Sequence, residues 1–189
     1  EPTTVGGLAD LAERGLVDLV VGAHHACVRT SDGEVVRCWG RGEADQLGDA
    51  RGTRSQAALP PHEALSLPVD ALAAAADYTC ALAEGGQRVA CWGATPLGPR
   101  AVPTRLAHRF DPPLTRLVAG PLVACGIDAA DRVHCWGDNG AGQLADPGLV
   151  RADEPVVVDL PETAAPALRA RHSCAVAPDG PPARWGETV

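Results

Sequence analysis

The sequence predicts an all-β fold, an array of four small four-stranded antiparallel sheets, and three observations predict it. First, one motif recurs four times. It reads C-V-R-T-S-D-G-E-V-V-R-C-W-G at residues 27–40 and C-A-L-A-E-G-G-Q-R-V-A-C-W-G at 80–93. It returns as C-G-I-D-A-A-D-R-V-H-C-W-G at 125–137 and C-A-V-A-P-D-G-P-P-A-R-W-G at 174–186. Second, all seven cysteines and all four tryptophans (Trp39, Trp92, Trp136, Trp185) fall in these copies, the tryptophans 53, 44 and 49 residues apart. A period of this size is the signature of a repeat architecture. Third, turn residues sit at the centre of each copy between strand-like runs, as in a hairpin.

Within a copy, the hairpin fixes the partners. With Asp32-Gly33 in a type I′ turn, Thr30 faces Val35, Arg29 faces Val36, Val28 faces Arg37, and Cys27 lands opposite Cys38. Gly85-Gly86 places Cys80 opposite Cys91 in the same way. A three-residue loop, Ala129-Ala130-Asp131, places Cys125 opposite Cys135, with no glycine where such loops favour one. Directly opposed residues lie about 4.5–5.5 Å apart at Cα, inside the window that a disulfide requires. Three hairpins, each clipped by its own disulfide, follow; the alternative is a pair of reduced core cysteines in each. Arg184 replaces the second cysteine in copy four, which leaves Cys174 as a free thiol or as one half of an intermolecular or inter-domain disulfide. That copy keeps a turn at Pro178-Asp179-Gly180 but carries Pro181 and Pro182 in its returning strand, where proline cannot donate to a ladder.

The other elements follow in chain order. By pattern alone, Leu8 to Arg14 is a short helix ended by Gly15. Leu19, Leu72 and Leu117 each stand eight residues before the first cysteine of a hairpin. Leu16 to Val21, Val69 to Ala74 and Leu114 to Ala119 are therefore equivalent leading strands, although the run Ala73–Ala76 favours helix by propensity. Pro166 takes the leucine position in copy four, with Leu168 as a substitute. A polar loop follows each Trp-Gly: Arg41 to Gly48 in copy one and Asp138 to Ala145 in copy three, with Gln46 and Gln143 each seven residues past its tryptophan. Copy two is cut short at Ala94-Thr95-Pro96-Leu97-Gly98, and copy four stops before this element. Pro-rich connectors, with strand-like pieces such as Val156-Val157-Val158, leave room for a fourth strand per period. Four-stranded units stacked radially make a β-propeller. The chain reads as a single repeat domain over 1–189, with approximate repeats 1–50, 51–100, 101–150 and a truncated 151–189.

Composition narrows the function. Hydrophobic residues make up 46%, a globular value, while aromatics are 3%, so each tryptophan is the largest core piece of its unit. All 16 basic residues are arginine, and with the abundant alanine this points to a GC-rich bacterial gene. A net charge of −8 repels a phosphate backbone and excludes nucleic acid as a partner. No apolar run approaches the length that spans a bilayer. Cysteines paired at hairpin spacing place the protein in an oxidising compartment: extracellular, periplasmic or at the cell surface.

The pattern Gly22-x-x-His25-x-Cys27, then Asp32-Gly33, Cys38-Trp39-Gly40 and Gln46-Leu47-Gly48, resembles the regulator of chromosome condensation repeat. Copy three matches through Gly120, Cys125, Cys135-Trp136-Gly137, Asp138-Asn139 and Gly142-Gln143-Leu144. Copy four matches through His172-Ser173-Cys174-Ala175-Val176 and Trp185-Gly186. The cysteine-paired form is similar to versions in secreted or surface bacterial proteins. The resemblance implies a β-propeller, usually of seven blades; this chain has material for four. A four-bladed ring, an arc closed by another chain, and part of a longer propeller all remain open.

The reading for function is a non-enzymatic secreted or cell-surface scaffold that binds a protein or other extracellular partner through its blade loops, with no cofactor. Candidate contact residues are Arg41, Glu43 and Asp45 in the first loop, Asp138 and Asn139 in the third, and the cationic connector with Arg100, Arg105, His108 and Arg109 beside Phe110. Guanine-nucleotide exchange with chromatin binding, the best-known activity of the family, does not fit an acidic, disulfide-bonded chain. Inhibition of a secreted enzyme, as by the propeller-type β-lactamase inhibitory protein, is a compatible alternative. An enzyme or metal site is the weaker one. His25 and His172 share a repeat position that copies two and three fill with Tyr78 and Val123, which argues for packing. Cysteines ten or eleven apart do not fit a zinc knuckle.

Overall fold

The computed structural model describes residues 4–63, 65, 67–158, 165–169, 171–176 and 182–187. Four antiparallel meanders follow one another along the chain. The first contains β1 (Leu16–Val21), β2 (His25–Thr30), β3 (Val36–Gly40) and β4 (Ser55–Leu59). The second contains β5 (Val69–Ala75), β6 (Tyr78–Ala83), β7 (Arg88–Thr95) and β8 (Gly98–Arg105). The third contains β9 (Leu114–Ala119), β10 (Val123–Asp128), β11 (Val133–Asp138) and β12 (Arg151–Val158). The fourth has three strands among the described residues, not the expected four: β13 (Ala165–Leu168), β14 (His172–Val176) and β15 (Ala183–Gly186). The turn expected at Pro178-Asp179-Gly180, with Pro181, lies outside the described residues. No helix among the described residues is long and apolar enough to cross a membrane.

The hairpin registers are those the spacing predicts. Cys27 pairs with Cys38, Cys80 with Cys91 and Cys125 with Cys135, and each pair is a disulfide with Cα atoms 4.1 Å apart. Cys174 is free. One turn differs from expectation. Gly33 has a positive φ of 74° but Asp32 does not, so residues 31–34 form a four-residue loop, not a type I′ turn. The Asp32 side chain explains it: the carboxylate accepts from Thr30 Oγ1 at 2.5 Å, Glu34 N–H at 3.0 Å and Arg14 at 2.7 Å. Those bonds hold Asp32 in an ordinary conformation and its carboxyl at about 2. In copy three, Asp131 takes the positive φ (58°) that glycine would have supplied, as aspartate tolerates.

The short helix expected over 8–14 is a 3₁₀ helix at Ala9–Arg14, ended by Gly15 at φ 68°. The alanine run is strand through Ala75, then turns at Ala76. Tertiary packing overrides helix propensity here, because Leu72 and Ala73 pair with Ala81 and Cys80 in the sheet.

Sheets stack in sequence order through their leading strands: β5 packs on β1 and β9, and β13 packs on β9 and β10. The first two disulfides pack in clusters with the tryptophan of the next sheet. Cys27–Cys38 clusters with Leu47, Leu72 and Trp92; Cys80–Cys91 clusters with Phe110, Leu114 and Trp136. At the start of the array β1 has no such cover, and Leu19 and Val21 are 63% and 66% exposed.

Candidate functional site

Neighbouring sheets are joined by a recurring hydrogen bond. The loop after Trp39-Gly40 leads to Gln46, which is fully buried. Its side chain folds back on its own loop and the next sheet: Oε1 accepts from Ala44 N–H (2.9 Å) and Nε2 donates to Asp77 (3.1 Å). The main-chain carbonyl of Gln46 is left facing the second sheet, where it accepts from Trp92 Nε1 at 3.0 Å and lies 3.5 Å from Thr79 Oγ1. Gln143 repeats the arrangement toward the fourth sheet, with Trp185 Nε1 at 2.6 Å and Ser173 Oγ at 3.2 Å. Thr79 also meets His25 Nε2 at 2.8 Å, so three sequence-distant residues meet at one joint.

The joint between the second and third sheets is different. Copy two turns back at once through Pro96-Leu97, with Thr95 paired to Gly98, so the glutamine loop is missing. Trp136 is fully buried, yet no described residue accepts from its indole N–H. Ala124 stands where the other two joints have Thr79 and Ser173. A cavity of about 280 Å³ opens at this place, with Trp136, Cys91 and Leu97 among its lining residues. One wall belongs to β8 and its connector, with Arg100, Arg105 and His108; the other to β12, with Asp153 and Glu154. Arg105 is paired with Glu84 at 3.3 Å and Asp153 with Arg151 at 2.6 Å. Arg100 and Glu154 make no ion pair among the described residues.

Behind the cavity is a buried ionic cluster. Asp128 accepts from Arg132 and pairs with His134, both at 2.8 Å. Burial alone would raise its carboxyl; the bonds from His134, the Arg132 and Ala130 N–H groups and the Arg132 side chain outweigh it and hold the group at about 2. Phe110 lies edge-on to both His108 (ring centroids 4.7 Å apart) and His134 (5.7 Å), and 6.3 Å from Trp136. The cluster is structural: it anchors the connector that forms one wall.

The sequence candidates separate into three groups. Arg105 and His108 line the cavity, while Arg109 is exposed outside it and contacts Gln87. Asp138 and Asn139 brace their own loop. Asn139 donates to the carbonyls of Asp146 (2.6 Å) and Leu149 (2.8 Å), and Asp138 accepts from Gln143 at 2.8 Å. Arg41 and Glu43 pair with each other at 3.3 Å on the surface, and Asp45 occupies a turn at φ 60°. Arg100, named with the cationic connector, lines the cavity too; Glu154 was missed, because it carries no motif, and the signal available was the shortened loop itself. Among the described residues no three His, Cys, Asp or Glu side chains are grouped to hold a metal ion. His25 is buried, with its Nε2 at 2.8 Å from Thr79 Oγ1. Burial lowers its pKa to about 4, with the nearby Asp77 opposing the shift.

A family model described as the regulator of chromosome condensation repeat matches residues 16–46. The chain is 28% identical to the ultraviolet-B receptor UVR8 of Arabidopsis thaliana over 92% of its own length and 42% of that protein. Among solved structures, Prp20p of Saccharomyces cerevisiae superposes with a TM-score of 0.77 at 19% identity, over 94% of this chain and 45% of that one. Human WBSCR16 superposes with a TM-score of 0.75 at 20% identity, over 90% and 47%. The chain thus spans less than half the length of each of these proteins. With four motif copies in phase, meander sheets stacked in sequence order and these likenesses, the chain has the fold of a β-propeller array, and its cysteine-paired hairpins are similar to the regulator of chromosome condensation repeat.

Proposed function

We propose that this chain is a non-enzymatic, secreted or cell-surface scaffold of bacterial origin that binds a protein partner at the groove between its second and third sheets. The observation that carries the reading is the groove itself: a cavity lined by Trp136, whose N–H makes no hydrogen bond among the described residues, with walls of opposite charge held on paired strands. Sites of this kind are concave, with few polar groups precisely placed. Three disulfides support an oxidising, extracellular-type compartment. The net charge of −8 speaks against nucleic acid. That Prp20p has binding properties toward Gsp1p and histones supports a protein as the class of partner. No cofactor enters this reading.

The exposed face of β1 supports a second contact. Leu19 holds the repeat position at which Leu72 is buried, so a further blade of the same kind fits there and would continue or close the propeller.

The test is capture by the immobilised oxidised protein from the extracellular fraction of the producing organism, followed by calorimetry with the purified partner. A stoichiometric complex weakened at least tenfold by Arg100→Glu supports the reading. A captured molecule that is chemically converted, or an affinity that Arg100→Glu leaves unchanged, overturns it.

A further inference from the structure

The repeat supplies two filled examples of the joint that is empty at Trp136. In both, the indole N–H donates to one kind of atom, a main-chain carbonyl oxygen of a Gln-Leu loop from the preceding sheet. Gln46 and Gln143 each brace their own loop through Oε1, which accepts from Ala44 and Ala141 N–H, while the main-chain carbonyl meets the tryptophan of the next sheet. At the second joint the loop has been removed, and the donor remains. The Trp136 indole makes no hydrogen bond among the described residues, and Trp136 lines the cavity that opens where the loop would have stood. The site is therefore complementary to what the missing loop presented.

We propose that this cavity receives a short segment of a protein partner, an extended peptide or loop tip whose main-chain carbonyl accepts from Trp136 Nε1. The proposal rests on the scaffold reading and narrows it to a chemistry. The walls favour a neutral peptide group over a free carboxylate. Arg100 and Arg105 stand on one wall and Asp153 and Glu154 on the other, so the lining carries both signs and matches a dipolar amide better than a net charge. A peptide offers a carbonyl and a neighbouring N–H, an acceptor for the indole and a donor for the acidic wall. The volume of about 280 Å³ lies at the lower edge of ligand cavities, fit for a few residues and not for a folded domain or a large cofactor. Ala107, exposed at the lining, leaves the mouth open.

The protein's own loop is the natural probe. Acetyl-Gln-Leu-Gly-amide copies residues 46–48, which fill the equivalent joint of the second sheet. Titrated into the oxidised ¹⁵N-labelled protein, it is expected to move the Trp136 indole N–H signal downfield, saturably, and to leave the Trp92 and Trp185 signals in place. Ala107→Phe, a surface change that narrows the mouth, abolishes the shift while its melting curve overlays that of the wild type. No movement of the Trp136 signal up to the solubility limit of the peptide overturns the proposal. So does an equal shift with acetate, which would make the site one for carboxylates, and so does a shift that survives Ala107→Phe. The calorimetric test of the scaffold reading is independent. A partner that binds wild type and Ala107→Phe equally, yet loses affinity with Arg100→Glu, keeps the scaffold and removes the peptide slot.

Discussion

Gln46 and Gln143 are more informative for what their backbones do than for their side chains. Each holds its loop rigid with its amide so that one carbonyl meets the tryptophan of the next sheet. The first of these joints also contains His25, bound through Nε2 to Thr79. Only glycine fits at position 22, because a Cβ there would lie 2.2 Å from the His25 ring and 2.8 Å from the Ala76 carbonyl. Burial favours the neutral imidazole and puts the folded-state pKa at about 4, against 6.5 when unfolded. The sign follows. Above pH 6.5 both states carry a neutral ring and no penalty exists. As the pH falls from 6.5 toward 4 the unfolded chain takes up the proton first, and stability is lost. Integrated over the window, the loss is about 3 kcal/mol. Melting temperatures measured between pH 7 and pH 4 should fall steadily, and His25→Gln should flatten the slope. Below pH 4 the loss continues as Asp128, held at about 2, takes up its proton.

At the scale of the hairpin, the cysteine pairs fix both register and stability. Each disulfide closes a loop of ten or eleven residues. Restriction of the unfolded chain by a loop that short contributes about 2–3 kcal/mol per bond. With aromatics at 3% of the chain, apolar burial has little reserve to offset their loss. Reduction is expected to lower the melting temperature by more than 10 °C, read by circular dichroism with and without reductant. The denatured, unreduced protein should titrate one thiol, that of Cys174. The hairpins are also where sequence reasoning reached furthest. Opposed residues could be counted outward from Gly85-Gly86 or from Ala129-Ala130-Asp131, and the ladders agree residue by residue. The turn at Asp32-Gly33 escaped because a side chain, not the backbone preference of the dipeptide, set its conformation.

At the scale of the whole molecule the array has one face that its own repeats do not cover. Leu19 and Leu72 are equivalent by repeat position, yet Leu19 is 63% exposed and Leu72 6%. Charge introduced at the two sites should therefore act very differently. Leu72→Glu places an unpaired carboxylate against Trp92 and the first disulfide, and should cost more than 4 kcal/mol by urea denaturation. Leu19→Glu should stay within about 0.5 kcal/mol.

The sequence by itself determined the all-β class, the hairpin registers, the cysteine partners and the leading strands. Each depends on residues within about a dozen positions of one another or on the repeat period, and both are printed in the chain. The tertiary structure alone decided which repeat faces are covered and where the glutamine carbonyls go. It also decided that, with the loop of copy two shortened, the Trp136 N–H finds no acceptor among the described residues. The bond from Trp92 to Gln46 spans 46 residues and that from Trp185 to Gln143 spans 42. A local pattern gives each sheet its strands but carries no record of how far one sheet stands from the next, and the groove exists only in that spacing.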